Sequence, residues 1–464
     1  MATQKKSIYP NCKGAILIIS MVFVLVFSAL AVSMAGLSVT NVQVADNQCK
    51  LDRARASAES GFEVIRFWLS KVSISGTTSE SQRFTQIVNS FQNELTTAGI
   101  TNLSISYDGT TITIPSVPLD SANGCSFSAT ICALDVDTLQ IDVTGAQGSL
   151  TRTIRANYCF TERAHTVFDF GIATRGPLSL SGNIELEGIN VSVEASVYIE
   201  SENSNLALSI IGNSQIAGDV SIVNPVANVD LQGGHAGIGG ETGQDAIDNH
   251  VSFGVPPSEF PEPVPLQYLS YIDNIIDANT DTTADATLEN VKILADTNPS
   301  FSGHVTLKGV VFVETPNVVT FTGSADVIAI IIGNGSWTDN SGTNQINFLG
   351  NVQSLPVSEL PYEEQFEGLH DQTGTFVMAP GFRTSFGGSF DTLSGAIASN
   401  GIKFFGNAGG IINGSIINYS DEQMELSGNS DLYFNRSGVS EAPAGFVPEI
   451  ILDYNPASYS EVII

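Results

Sequence analysis

Positive charge is scarce in this chain: 18 Lys and Arg stand against 48 Asp and Glu over 464 residues, a formal net charge of −30. Beyond Ala164 the basic side chains are Arg175, Lys292, Lys308, Arg383, Lys403 and Arg436. A polyanion such as nucleic acid is held by neutralising its phosphates with Lys and Arg, so no nucleic-acid partner is expected. A surface this acidic stays soluble and repels anionic polymers unless divalent cations bridge them. Cysteine is thin as well, five residues with no CxxC pair, which excludes a zinc ribbon. The five histidines, His165, His235, His250, His304 and His370, are isolated, with no HxxxH or HxH spacing. A Gly-x-Ser-x-Gly elbow and a phosphate-binding loop are missing too. The expectation is a protein without enzymatic activity and without a cofactor.

One stretch lacks charge altogether. Gly14 to Ala45 contains no charged side chain, and Ala15 to Leu37 is a run of 23 mainly apolar residues. As a helix rising about 1.5 Å per residue this run reaches roughly 35 Å, enough for a hydrocarbon core of about 30 Å with some tilt. Ser20, Ser28 and Ser33 do not spoil it, because a helical hydroxyl returns its hydrogen bond to a carbonyl one turn back. Lys5, Lys6 and Lys13 precede the run and Asp46 is the first charge beyond it, which places the N-terminus in the cytoplasm and the rest of the chain outside. Without an intervening Pro the pattern then becomes amphipathic. Val44, Leu51, Ala54, Ala58, Phe62, Ile65 and Leu69 share one helical face, and Glu63 with Arg66 makes an i,i+3 pair of opposite sign. The spacing predicts one continuous helix to about Lys71.

These residues carry a resemblance. The basic leader ending in Lys13-Gly14, the uncharged helix from Ala15 and the following "NVQVADNQCKLDRARASAESGFEVIRFWL" resemble the N-terminal region of the PilX-type pilus assembly family, minor pilin-like proteins of type IV pili and secretion pseudopili. The resemblance covers about residues 8 to 70, one seventh of the chain. It implies cleavage by a prepilin peptidase after Gly14, leaving Ala15 as the new N-terminus, and packing of the helix against other pilin-like subunits. Pilins usually carry Phe first and Glu fifth after the cut, the Glu meeting a neighbour's terminal amine; Ala15 and Ile19 stand in those places here. Two other readings fit the apolar run by itself. One is a signal peptide cleaved after Ser33-Met34-Ala35, and the other is a plain single-pass anchor.

The chain divides by texture into a leader (1–14), the long helix (15–75), a small α+β module (76–165) and a β-helix-like exported region (166–464) with an insert at about 245–298. In the module, Phe84, Ile87, Val88, Phe91 and Leu95 define a helix stopping at Gly99, and alternating runs about Asp108-Gly109 and Gly145 to Gly148 read as hairpins. Cys125 and Cys132 flank "SFSATI", a spacing that suits a small disulfide loop in an oxidising envelope, with free thiols as the alternative. From about Phe168, short apolar runs alternate with Gly, Asn, Ser and Asp. Gly-Asn recurs at Gly182, Gly212, Gly333, Gly350, Gly406 and Gly428; Gly395 and Gly414 lie 19 residues apart, and Gly303 and Gly323 lie 20 apart. Drifting periods near 20 are expected of a parallel β-helix, in which stacked coils share one core through residues such as Ile397, Ile402, Phe404, Ile416 and Leu426. An antiparallel sandwich is the competing architecture.

Within the insert, "VPPSEFPEPVPLQ" reads as a connector and "YLSYIDNIIDA" as a short helix, while "SLPVSELPYEEQFEGLHDQTG" reads as an acidic loop. "DANTDTTAD" offers Asp277, Asn279, Asp281 and Asp285 at the spacing of an oxygen-lined calcium loop, without the Gly such loops carry at position six. A solvated turn is the plainer reading. The overall expectation is a single-pass pilin-like protein in the cytoplasmic membrane, or in a pilus at the cell surface. Its acidic β-solenoid faces outward, with the membrane, other pilin-like subunits and extracellular surfaces or glycans as partners. The alternative is a membrane-tethered polysaccharide lyase or hydrolase, with His370-Asp371 as base and orienting carboxylate and Arg383 as the positive charge.

Overall fold

Between Lys13 and Leu69 nothing in the sequence ends a helix: there is no Pro, and Gly14, Gly36 and Gly61 are the only glycines. In the computed structural model this whole stretch is one helix of 57 residues. The structure describes residues 13–100, 103–202, 204–339, 341–436 and 442–462, with side chains from Ile16 onward. The chain forms two compact units: one from the residues up to Ile74, Thr78–Thr161 and those from Ile451 on, the other from Ser75–Thr77 and Glu162–Ile450.

In the first unit, the latter half of the long helix lies on an antiparallel sheet. The strands neighbour one another in the order Ser106–Tyr107, Thr111–Asp120, Cys125–Ala133, Thr138–Gln147, Leu150–Arg163 and Glu449–Val462. Both expected hairpins are present, with Gly109 and Gly148 at positive φ in their turns. The second helix, Glu80–Thr97, buries Ile87, Phe91 and Leu95, and Gly99 follows it at φ +73°. The β-helical region does not run to residue 464 as its texture suggests: the last strand completes the first unit's sheet, so the second unit is inserted between two strands of the first.

The second unit is a β-solenoid of three largely parallel sheets, with twelve, nine and seven strands among the described residues. Its winding is not sequential. Ile172–Thr174, the first strand of the twelve-stranded sheet along the chain, lies inside it, between Val197–Ile199 and Ile416–Asn418. From there the chain winds through Val197–Ile199 and Val220–Ile222 to an edge at Val251–Phe253. Residues 254–273 carry it to the opposite edge. A second arm begins there at Asn274–Ile276 and winds back until Ile416–Asn418 pairs with Ile172–Thr174. The two arms join in register on all three sheets, with Ile416 opposite Ile172, Leu426 opposite Leu180 and Leu432 opposite Leu186.

The near-20 period is the coil repeat: Val305 pairs with Ala325 and Ile397 with Ile416. The five interior residues expected at the core are all buried. Along the nine-stranded sheet the core is an aromatic column in which Phe301, Phe321, Phe348, Phe386 and Phe404 stack at centroid spacings of 5.0, 5.1, 5.1 and 4.8 Å. One corner is a glycine column: a Cβ on Gly212 would lie 2.6 Å from Gly182 O, and one on Gly182 would lie 2.2 Å from Gly428 O. Asparagines follow these glycines and link coil to coil, Asn213 donating to Asn183 and Asn183 to Asn429. Gly333-Asn334 is the exception among the Gly-Asn pairs, ending the strand Ala325–Asn334 with Gly333 against the Phe382 ring.

A second apolar layer lies outside the coils. Val310, Phe312, Ile330, Ile332, Ala398 and Ile417 point outward from the twelve-stranded sheet and are buried by covering segments. The stretch expected as a short helix, 268–278, divides instead: its start lies in a 3-10 helix, Pro265–Tyr271, with Tyr268 buried, and Ile275 and Ile276 lie in the strand Asn274–Ile276. The stretch read as an acidic loop covers the same face, burying Val357, Leu360, Phe366 and Leu369. A sheet whose two faces are both apolar must have both covered, and these inserts do so.

Candidate functional site

The long helix has two regimes, set by what its side chains meet. From Ile16 through Val44 every described side chain is exposed, including Phe23, Phe27, Leu30 and Leu37. It is one helix long and apolar enough to cross a membrane by length and composition. Of the three serines expected to bond back one turn, Ser20 does, its Oγ donating to Leu17 O at 2.9 Å, and Thr40 Oγ1 donates likewise to Gly36 O at 3.0 Å. Leu37, the expected end of the spanning run, has no break after it, and the helix continues into soluble structure. The proposed processing point, Gly14 and Ala15, belongs to the helical backbone, with side chains outside the described residues.

The seat on the first unit's sheet begins about two turns later than the periodicity suggests. Val44 is 62% exposed and Leu51 half-buried, whereas Ala54, Ala58, Phe62, Ile65 and Leu69 are buried. Small residues set the approach. A Cβ on Gly145 would lie 2.1 Å from Ala54 O, and one on Gly61 would lie 2.4 Å from Phe127 Cγ. Sequence periodicity missed both glycines because it scores apolar mass, whereas their function here is to lack it. The opposite face of the helix carries ion pairs, Asp46 with Lys50 at 2.6 Å, Arg55 with Glu59 at 3.1 Å and Glu63 with Arg66 at 3.7 Å. Each is exposed and contributes little to stability.

The other expected sites do not assemble. Cys125 and Cys132 are free, seven residues apart on the single strand Cys125–Ala133. Extended backbone separates them by about 23 Å, beyond any disulfide. The Cys125 thiol instead donates to Gln147 Oε1 at 2.7 Å. The calcium loop resolves into two turns. Asp277 accepts from the Asn279 amide at 3.0 Å and from Thr280 Oγ1 at 3.0 Å, and Asp281 from the Thr283 amide at 2.9 Å. Those backbone amides, more than any other neighbour, hold both carboxyls below the usual range. Asp285 is engaged elsewhere, accepting from the His304 amide at 2.8 Å. Among the described residues no group of three or more His, Cys, Asp or Glu is placed to hold a metal ion.

His370 and Arg383 serve different faces. The His370 ring stacks on Tyr362 at 4.6 Å and its Nε2 lies 3.0 Å from Leu360 O, within the segment covering the twelve-stranded sheet. Asp371, its intended carboxylate partner, is exposed. Arg383 is on the nine-stranded sheet, paired with Glu422 at 2.5 Å.

Comparison with known proteins bears on the long helix. Residues 13–63 match the family model described as PilX N-terminal, so this segment is similar to the N-terminal region of pilin-like proteins. No curated protein matches the chain. Among solved structures, the competence-associated pilin ComZ from Thermus thermophilus is similar at 11% identity and a TM-score of 0.27, over 89% of this chain and 98% of that one. An ice-binding protein from the Antarctic ascomycete Antarctomyces psychrotrophicus is similar at 13% identity and a TM-score of 0.16, over 57% of this chain and 94% of that one. At such scores neither fixes a shared overall fold.

Proposed function

We propose that this chain is a single-pass, membrane-anchored minor pilin-like protein of a type IV pilus or secretion pseudopilus, with its N-terminus cytoplasmic and its solenoid displayed outside. The observation that carries this reading is the long helix: Ile16 to Val44 is exposed throughout among the described residues, and residues 13–63 of the same helix match the PilX N-terminal family model. An apolar rod exposed on every side is stable only in lipid or against other such rods. One seamless helix serves both settings in turn, held in the bilayer before assembly and sharing its apolar surface with neighbouring subunits afterwards. Processing after Gly14 frees the amine of Ala15. Because Ile19 stands where pilins usually carry Glu, packing here relies on apolar contact, without an ion pair to the neighbour's terminus. The role is structural and adhesive, the acidic solenoid being what the filament presents.

The test is fractionation of cells after shearing. This reading expects the protein in sheared surface filaments, and its loss from them when Ile16–Val44 is replaced by a cleavable secretory signal. Protein confined to washed cytoplasmic membrane under piliating conditions contradicts filament assembly.

A further inference from the structure

Cys125 opens the strand Cys125–Ala133 and Gln147 closes the strand Thr138–Gln147, and the two residues stand directly opposite each other in the antiparallel ladder. Residues so opposed have Cβ atoms about 4.5–5.5 Å apart and share one face of the sheet. Here it is the inner face, since Phe127, Ala129, Val143 and Gly145 on the same alternation are buried. Gln147 is 9% exposed and both ends of its carboxamide are engaged, Nε2 donating to Asn123 O and Oε1 lying 2.7 Å from Cys125 Sγ. Because Asn123 O can only accept, the nitrogen faces it and the oxygen faces the sulfur. The adjoining turns are tied together too, the Gly148 amide donating to Gly124 O at 3.2 Å. The carboxamide carbon is one C=O bond of about 1.23 Å beyond Oε1, so it lies within about 4 Å of Sγ.

A thiol is a weak hydrogen-bond donor, but its sulfur is a strong nucleophile and a carboxamide carbon is an acyl centre. Holding the two in one orientation turns a bimolecular encounter into an intramolecular one, with effective molarities of about 10⁵–10⁸ M in well-aligned cases. We propose that Cys125 and Gln147 join as an internal thioester. Sγ bonds to Cδ, the Cδ–Nε2 bond breaks, and the thiol proton leaves with the nitrogen as ammonia, so no other reactant is consumed. Burial of Gln147 keeps water from the product. The bond staples two neighbouring strands and holds an acyl group for which a primary amine is the matching nucleophile. The amine nitrogen bonds to Cδ, and Sγ departs as a free thiol with the amine's proton. Cys125 is half-buried rather than enclosed, which leaves the site open to a slender amine. The cross-link forms within one chain, whether or not the helix enters a filament. Only delivery of the acyl group to an amine on another surface rests on the adhesive reading.

The experiment uses the full-length protein extracted in detergent, unfolded and digested with pepsin in acid, which spares thioesters. Mass spectrometry is expected to find the Cys125 and Gln147 peptides joined and lighter than their sum by one ammonia. In the unfolded protein Cys132 and Cys159, free on the same sheet, take up maleimide while Cys125 does not. Incubating the folded protein with methylamine beforehand is expected to release Cys125 for labelling and to leave an N-methyl amide on Gln147. Cys125→Ala should abolish both the ammonia loss and the methylamine uptake. Gln147→Glu, which keeps the shape but has no nitrogen to lose, should give a Cys125 that labels like Cys132. Separate peptides of full mass, with Cys125 of the parent labelled as readily as Cys132, overturn the proposal, the contact then being a hydrogen bond only. Ammonia loss that persists in Cys125→Ala overturns it as well, and a cross-link that methylamine fails to open in the folded protein overturns the acyl-donor role. Cross-linked protein absent from filaments contradicts the assembly reading alone, and filament protein with Cys125 free contradicts this one alone.

Discussion

At the scale of single residues, the account depends on atoms that are missing as much as on those present. Gly145 faces the Ala54 carbonyl and the Ala58 amide of the long helix, and an added Cβ would lie 2.1 and 2.2 Å from them. Both contacts are backbone, so Gly145→Ala forces the helix off the sheet at about 1–3 kcal/mol. Amide exchange of residues 54–65 is expected to accelerate in that variant; unchanged protection contradicts the close seat. Glu194 is the clearest titrating support. Burial alone would raise its carboxyl, but donors from the Asn190 amide at 2.8 Å, Asn190 Nδ2 at 3.0 Å and the Arg436 amide at 3.1 Å outweigh that and hold it below the usual carboxylate range. A depressed carboxyl contributes stability that is present above the unfolded pKa and lost as pH falls through the folded one. Glu194→Gln should therefore melt below the parent at pH 7, with the gap closing towards pH 3. An equal gap at both values contradicts the ionic role. None of these roles was legible in the sequence, where Gly145 reads as a turn residue and Glu194 as one acid among 48 Asp and Glu.

Elements were more legible. Charge-free length and 3.6-residue spacing foretell the long helix, and glycine spacing near 20 foretells the coils, because both signals repeat over many residues. What repetition hides is order: every coil offers similar edges, so nothing in the period says that the first coil stacks on the last. That seam depends on the corner glycines. Gly182, at φ +127°, has Gly428 O 2.2 Å from where a Cβ would stand. Gly182→Val should lower the urea midpoint of the solenoid markedly, whereas Gly234→Ala, with nothing within 4 Å, should stay within about 0.5 kcal/mol of the parent. Equal midpoints for the two variants contradict the seam. The covered outer face did leave a trace. Val310 to Val313 and Ile330 to Ile332 are apolar without alternation, the pattern of strands buried on both faces. The acidic residues of the 354–374 stretch masked the Val357, Leu360, Phe366 and Leu369 that cover it.

For the whole molecule, insertion is the organising fact. The solenoid leaves the first unit's sheet after one strand and returns to the next, and Arg163 Nε donates to Glu449 Oε2 at 2.8 Å where its two ends meet. Adjacent ends let a long insertion interrupt a sheet at small entropic cost. Replacing Glu162–Ile450 with a short Gly/Ser loop should leave the first unit folded, with helix and sheet retained by circular dichroism; collapse of both contradicts the division into units. The central claim is the pilin-like use of the long helix, and N-terminal sequencing of the mature protein from cells with an active prepilin peptidase tests it most directly. The account predicts a chain beginning at Ala15, a product abolished by Gly14→Ala. A mature chain beginning at Gly36, with the apolar segment cut away, would contradict it.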